Sequence, residues 1–570
     1  MPGRPPPPPL SSRPALPLAG ALRLGRPSDI WFKPALSVVA AGAPPNLILL
    51  ALGRLDLAMY TMAGSLCALY AHHRPYAARA RVLAWVVLGM TAGLAVALLA
   101  ASLTANAVVL VTVGALLAAA QKTLCDATRL GPPANVVLTF ISSAALFAPQ
   151  TLGQIPGHLG LALAAGAWAW LIGMAPGLLR PHGPERRATA HALNTAAAYA
   201  SPASRATDST SDGVGVGDGA GSARTRAAAA AAVHAAWQTL LSAPAGPSRR
   251  ALERLVVRAE VALAAPADTD PERLRGWARE LRGAGPLPHP GDLVDDGELL
   301  GVDVQRAAGQ PPLRRRLGPL TPIAVRTALG CALAGYVSLV LGVGRPSWAL
   351  VTAASLYQAN VTLTWSRGVQ RVVGNLVGVL AFAALVPLAH VHQAALVLVC
   401  LALNFGAEAL IGRNYWLGSV CVTPMALLIT EFAQYQDAGR LITERILDTL
   451  VGAVVGFAAA VAVTNRRAGD RLGDALTAVE RAREHAARLL ADPRPAPGAL
   501  DSARRSLAAA LVDLRATADA ASGEWWPRAL PQERVVAAER TGHRTLAATV
   551  RSQGLLLDGD ASARAEGVRR

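Results

Sequence analysis

Two long blocks of apolar sequence, roughly 33–180 and 323–464, dominate the pattern of this chain. Within each, hydrophobic stretches follow one another with only short polar breaks. A helix crossing the hydrocarbon core of a bilayer needs about 20 apolar residues. Val82–Ala101 and Ile446–Thr464 meet that outright, and shorter runs take their reading from their place in the series. The expected spans are 35–53, 55–71, 82–101, 103–120, 133–150 and 157–178 in the first block. In the second they are 323–343, 347–363, 372–389, 393–411, 416–433 and 446–464.

The polar breaks alternate in charge. Arg23, Arg26 and Lys33 precede the first block, Arg74, Arg79 and Arg81 follow its second span, Lys122 and Arg129 its fourth, and Arg180, Arg186 and Arg187 its sixth. In the second block the matching places hold Arg314–Arg316, Arg367 and Arg371, Arg413, and Arg466 and Arg467. Arginine and lysine accumulate on cytoplasmic loops, so both blocks begin and end inside. Lys33-Pro-Ala-Leu36 resembles Arg326-Thr-Ala-Leu329, and Gly53-Arg54 through Leu66 resembles Gly344-Arg345 through Leu356. An even number of spans makes such halves parallel, a known transporter plan. The predicted fold class is an all-α polytopic membrane protein with two parallel six-helix transmembrane repeats plus two cytosolic helical regions.

Those regions are an insert at 181–320 and a tail at 466–570. Alanine, leucine and arginine favour helix over Glu185–Ala200, Arg226–Ser242, Ser248–Ala265 and Pro271–Arg282. The Ser/Gly/Asp-rich stretch 201–225 reads as a flexible linker, and Pro286–Pro290 breaks the helical pattern. In the tail, helices are expected at Gly469–Ala491, Gly498–Ala520 and Gln532–Leu557. Residues 1–30, rich in proline and arginine, read as a disordered cytosolic tail without the apolar core of a cleavable signal peptide.

The bulk numbers fit a membrane protein: 52% hydrophobic residues but only 16% charged, against about 25% charged in soluble domains. A net charge of +17 could suggest nucleic acid, but the arginines flank apolar spans and serve topology first, so no nucleic acid partner is expected. The partners expected are the lipid bilayer, a small organic anion, a second copy of the chain in a homodimer and an accessory efflux protein. None of the five cysteines sits in C-x-x-C, which argues against a disulfide or metal site. The chain has two lysines, Lys33 and Lys122, neither in a phosphate-binding loop. No catalytic motif and no cofactor motif is present, and an enzyme is not expected.

Polar groups at membrane depth are expensive and usually line a cavity or pair with one another. The candidates for a transport path are Arg326, Arg371, Asn375, Glu408, Arg413, Asn414, Tyr415, Glu444, Arg445 and Asp448, with Asn360 and Asn404 nearby. Arg367/Arg371 and Glu444/Asp448 are i, i+4 pairs, each on one face of a continuous helix. Arg367, Arg413, Glu444 and Arg445 stand near the ends of the expected spans, where snorkelling competes with function. Gly89/Gly93, Gly374/Gly378 and Gly452/Gly456 are G-x-x-x-G pairs that let helices approach closely. Pro44-Pro45, mid-span, predicts a kink or a break of the first helix.

Arg345-Pro-Ser-Trp348, then Arg367-Gly-Val-Gln-Arg371-Val-Val-Gly374, then Arg413-Asn-Tyr415, then Glu444-Arg445-Ile-Leu-Asp448 resemble the fusaric acid resistance family, which includes aromatic acid exporters and is distantly similar to plant aluminium-activated malate channels. The resemblance is tight over 320–465. Asn375 stands where the family often has threonine. It implies export of small organic anions, typically aromatic carboxylates, across a bacterial inner membrane. Arg371 and Arg413 would attract the anion from the cytosol, and Glu444 and Asp448 would couple protons or latch the outer side. A passive anion channel and a non-transporting scaffold acting through the cytosolic helices remain as alternatives. The alanine- and arginine-rich, lysine-poor usage suits a high-GC bacterial source.

Overall fold

The computed structural model describes residues 18–25, 30–201, 219–283, 285–288, 299, 302, 312–342, 344–432, 435–463, 468–524 and 531–553. Most of the 201–225 linker, the Pro290 end of the break, Arg466 and Arg467, and the final residues of the last expected helix lie outside them. The described residues are helical, with no strand among them.

The first block folds as α1 (Phe32–Ala51), α2 (Ala58–Ser65, flanked by single 3-10 turns), α3 (Tyr76–Leu103), α4 (Ala107–Ala127), α5 (Asn135–Leu146) and α6 (Ile155–Met174). The insert contributes α7 (Gly183–Ala200), α8 (Gly219–Leu241), α9 (Pro247–Ala264) and α10 (Pro271–Arg282). The second block follows with α11 (Thr321–Val340), α12 (Pro346–Leu356), α13 (Val361–Ala389), α14 (Gln393–Ile411), α15 (Tyr415–Thr430) and α16 (Ala438–Ala462). The tail holds α17 (Ala468–Ala491), α18 (Ala499–Ser522) and α19 (Gln532–Ser552).

Among the described residues, eight helices are long and apolar enough to cross a membrane, four in each block. The second and fifth helices of each block fall short. At 1.5 Å per residue, the 11-residue α12 reaches about 17 Å, roughly half of a 30 Å hydrocarbon core. The twelve expected spans are thus eight long helices and four short apolar ones. α12 is buried along its whole length, which explains how a short apolar helix stays stable within the bundle.

Neighbour relations are the same within the two blocks. In the first, α2 packs on α1 and α6, α3 on α5 and α6, and α4 on α5; in the second, α12 packs on α11 and α16, α13 on α15 and α16, and α14 on α15. Between blocks, α1 packs on α14 and α11 on α4. The insert and tail form their own apolar cores and dock at one end of the blocks. There Gly523 accepts from the Thr362 N–H (3.0 Å) and hydroxyl (2.9 Å), and Arg471 donates to the Pro319 carbonyl (2.6 Å).

Several sequence expectations change. α13 starts at Val361 and α16 at Ala438, so Arg367, Arg371, Glu444 and Arg445 lie inside helices rather than at their ends. Charged side chains depress hydropathy at these ends and hid the first turns. α1 runs unbroken through Pro44 and Pro45. Within the supposed N-terminal tail, residues 18–25 are ordered: Asn414 donates to the carbonyls of Ala21 (3.0 Å) and Arg23 (2.9 Å), Trp416 to Leu22 (3.3 Å) and Gln370 to Ala21 (2.8 Å).

Close helix contact depends on glycine at most of the expected positions. A Cβ on Gly374 would stand 2.5 Å from the Ser419 Cβ, and one on Gly378 2.7 Å from that of Thr423, joining α13 to α15. Gly452 and Gly456 seat α16 on α12 in the same way, and Gly93 abuts Gln121. Gly89 is the exception, with open space where its Cβ would be. Gly374→Leu is therefore expected to destabilise the protein by about 1–3 kcal/mol through overpacking, and Gly89→Leu to leave it nearly unchanged, as read by thermal unfolding in detergent. Burial lowers the His543 pKa to about 4, helped by Arg226, and lowers that of His234. The unfolded chain binds protons on His543 between its ordinary value and about 4 while the fold does not, so stability falls with pH across that window. Amide protection factors in α19 should fall as the pH is lowered from 6.5 to 4, and His543→Gln should flatten that dependence.

Candidate functional site

The second block gathers four arginines about two aromatic rings, Arg371 and Arg445 buried and Arg345 and Arg367 half-buried. On α16, Arg445 is 1% exposed, and its guanidinium lies over the Trp348 ring at 4.9 Å. Arg345, at the turn between α11 and α12, lies over the same ring at 5.2 Å. Arg367 and Arg371, one turn apart on α13, both meet Tyr415: Arg367 stacks over its ring at 4.0 Å and Arg371 donates to its hydroxyl at 3.1 Å. Arg371 is within electrostatic reach of Arg445. A flat, weakly hydrated guanidinium tolerates an aromatic face in place of water, which explains why arginine and not lysine occupies this interior.

Two carboxylates lie among them. Asp448, wholly buried, accepts from the Ser338 hydroxyl at 3.0 Å and the Arg345 backbone N–H at 2.7 Å. Glu444 joins Arg345 at 3.2 Å and Arg440 at 2.7 Å, and Arg345 also reaches Gln436. This end of the block faces away from the insert and tail. Gly344 makes the Asp448 contact possible: its φ is +69°, and a Cβ there would stand 2.2 Å from the carboxylate. Deeper in, Asn375 donates to the Thr449 hydroxyl at 2.9 Å and accepts from Thr423, tying α13 to α15 and α16.

Four arginines against two carboxylates leave the cluster with a positive surplus. The Nε groups of Arg371 and Arg445 have no hydrogen-bond partner among the described residues. An anion entering this interior would meet oriented, poorly hydrated donors, the arrangement that lowers the barrier to a carboxylate in an apolar medium.

Of the residues singled out from sequence, Arg371, Asn375, Tyr415, Glu444, Arg445 and Asp448 come together here. The others do not. Arg413 is exposed in the turn before α15, and its carbonyl accepts from Gly25 at 2.8 Å. Asn414 holds the N-terminal segment. Arg326 donates to the Val463 carbonyl at 3.1 and 2.9 Å and lies 3.8 Å from Glu524, so it braces α11 against α16 and the tail. Glu408 stands apart on α14, half-buried, with no hydrogen bond or ion pair among the described residues. Sequence reading missed Arg345, Trp348, Ser338, Thr423 and Thr449 as site residues, although Arg345 and Trp348 were in view as part of Arg345-Pro-Ser-Trp348. No group of three or more metal-ligating side chains occurs among the described residues.

Residues 332–459 match the family described as fusaric acid resistance protein-like, which bears out the resemblance drawn from this segment's motifs. The match spans less than a quarter of the 570 residues. Comparison with curated proteins and with solved structures gave no match. The matched segment and the long apolar helices together mark a multi-pass membrane protein of transport or resistance type.

Gly342 and Gly344 both have positive φ, but only Gly344 abuts a side chain. Gly344→Ala is expected to lower the melting temperature well beyond Gly342→Ala, because it adds displacement of the Asp448 carboxylate to the backbone strain both share. Equal losses would mean that the carboxylate contact contributes nothing.

Proposed function

We propose, from the fusaric acid resistance-like segment in the second block, that this protein is a secondary-type exporter of small organic anions, aromatic carboxylates among them. One observation carries the reading: the buried arginine–aromatic cluster lies within that segment and holds more positive than negative charge. The family's description names fusaric acid, an aromatic carboxylic acid, and a flat ring with a carboxylate suits guanidinium groups that already stack on Tyr415 and Trp348.

In this reading the anion enters beside Tyr415, where Arg367 and Arg371 meet it, and passes to Arg445. Glu444 and Asp448 compete with it for Arg345 and form the latch at the far end; protonating either would release that latch, a route by which a proton gradient drives export. The expected role of Arg413 becomes one of attraction at the entrance. The protein then works in a bacterial inner membrane, with both termini inside and the two blocks as parallel six-helix halves; their shared order of long and short helices supports a duplication. A homodimer and an accessory efflux protein belong to the same reading.

The test is accumulation of radiolabelled aromatic carboxylates in cells with and without the protein. Export should lower accumulation of at least one compound, and Arg371→Ala or Arg445→Gln should reduce the export rate by about tenfold or more, the loss of roughly one strong charge-assisted contact of 1.4 kcal/mol or greater. Full export by both variants, with membrane insertion verified, would overturn the assignment. Current that follows voltage without dependence on a pH gradient would replace export by passive conduction.

A further inference from the structure

A second concentration of arginine lies outside the apolar blocks. Where insert meets tail, α8, α9, α18 and α19 enclose a cavity of about 250 Å³. One wall is alanine: Ala227, Ala230 and Ala231 on α8 face Ala508 on α18. Trp237 lines it as well, oriented by a 2.6 Å hydrogen bond to Glu260.

Arg505 is the polar side chain that matters most there. Its side chain is 3% exposed, it pairs with Asp501 at 2.8 Å, and it stacks over Trp237 at 5.5 Å. Its Nε and Nη1 nevertheless have no hydrogen-bond partner among the described residues, and neither does His543 Nδ1 across the cavity. Buried donors left without acceptors are costly and rare in folded proteins. The acids lining the cavity are already engaged: Glu260 with Trp237 and Arg504 (3.1 Å), Asp519 and Glu539 with Arg515 (3.2 and 3.8 Å). Arg226 makes no ion pair among the described residues and acts on His543. The cavity thus offers free donors and positive charge beside an apolar wall and an indole face.

We infer that this cavity binds a small organic anion made of one flat apolar ring and a carboxylate, held by Arg505 and Arg226 against Trp237 and the alanine wall. Its volume is just below the about 300 Å³ at which drug-sized sites begin, which suits a single ring and excludes a nucleotide. Nothing in the transport path uses these residues. α18 also connects the cavity to that path. It carries Arg505 near one end, and at the other Gly523 caps the start of α13 through Thr362, with Asn360 where a Gly523 Cβ would stand. A ligand that tightens α18 in the cavity therefore acts on the helix that carries Arg367 and Arg371. Binding is independent of the export reading; only this coupling rests on it.

The probe is a diazirine-bearing benzoate, photolabelled onto the purified full-length protein, with labelled peptides mapped by mass spectrometry. Label is expected on α8, α18 and α19, competed by benzoate but not by benzylamine. Arg505→Gln should lower that labelling at least tenfold. Ala508→Leu should do the same by filling the cavity without touching its charge, and an unchanged melting temperature shows that it folds. Label undiminished in Ala508→Leu, or equal competition by benzylamine, would overturn the proposal. Label confined to α13–α16 would overturn it while favouring the export path. Cavity label in a protein that exports none of the compounds would support the site and count against export.

Discussion

The cost of keeping charged guanidinium groups away from water governs the second block. Arg445 is 1% exposed and Arg371 4%, and a bare cation in such surroundings would be prohibitively expensive. The fold meets that cost with aromatic faces and with two carboxylates that are themselves fixed. Trp348, on the buried α12, offers its ring to both Arg345 and Arg445. Asp448 must reach the backbone of Arg345, which requires glycine at the preceding position. Tyr415 must present both its ring and its hydroxyl to α13, which sets where α15 begins. The short helices of this block carry the aromatic rings on which the arginines rest.

Small residues make the arrangement geometrically possible. α13 meets α15 through Gly374 and Gly378, and α16 meets α12 through Gly452 and Gly456. The same two helices carry the arginines and carboxylates on neighbouring positions of the same faces. Close backbone approach and charge burial are therefore not separate features: the helices touch where the charges need neighbours, and a wider gap would admit water or leave donors unmet.

Much of this was legible in the sequence because it is periodic. Runs of apolar residues located both blocks, and i, i+4 spacing put Glu444 with Asp448 and Arg367 with Arg371. The remainder depended on three-dimensional proximity, which a linear pattern does not carry. Gly89 and Gly93 look alike in sequence, yet only Gly93 abuts another helix, because rotation about α3 decides which glycine faces inward. Arg413 and Arg445 are both arginines beside apolar runs, and only chain direction at the turn before α15 separates an exposed one from a buried one. Hydropathy also truncated α13 and α16, since the charges that make their first turns functional are the same ones that make them look unlike membrane helix. The docking of residues 18–25 uses mainly their backbone carbonyls, which leave no mark on side-chain pattern.

That docked segment has a practical side. Residues 18–25 lie across Gln370, Asn414 and Trp416, within a few residues of Arg371 and Tyr415 on either side. A reporter or affinity handle attached close before Leu18 would stand beside this region, whereas one attached close after Gln553 would follow α19 instead. The choice of terminus for a fusion is thus also a choice about whether the fused body can crowd the place where α13 and α15 meet.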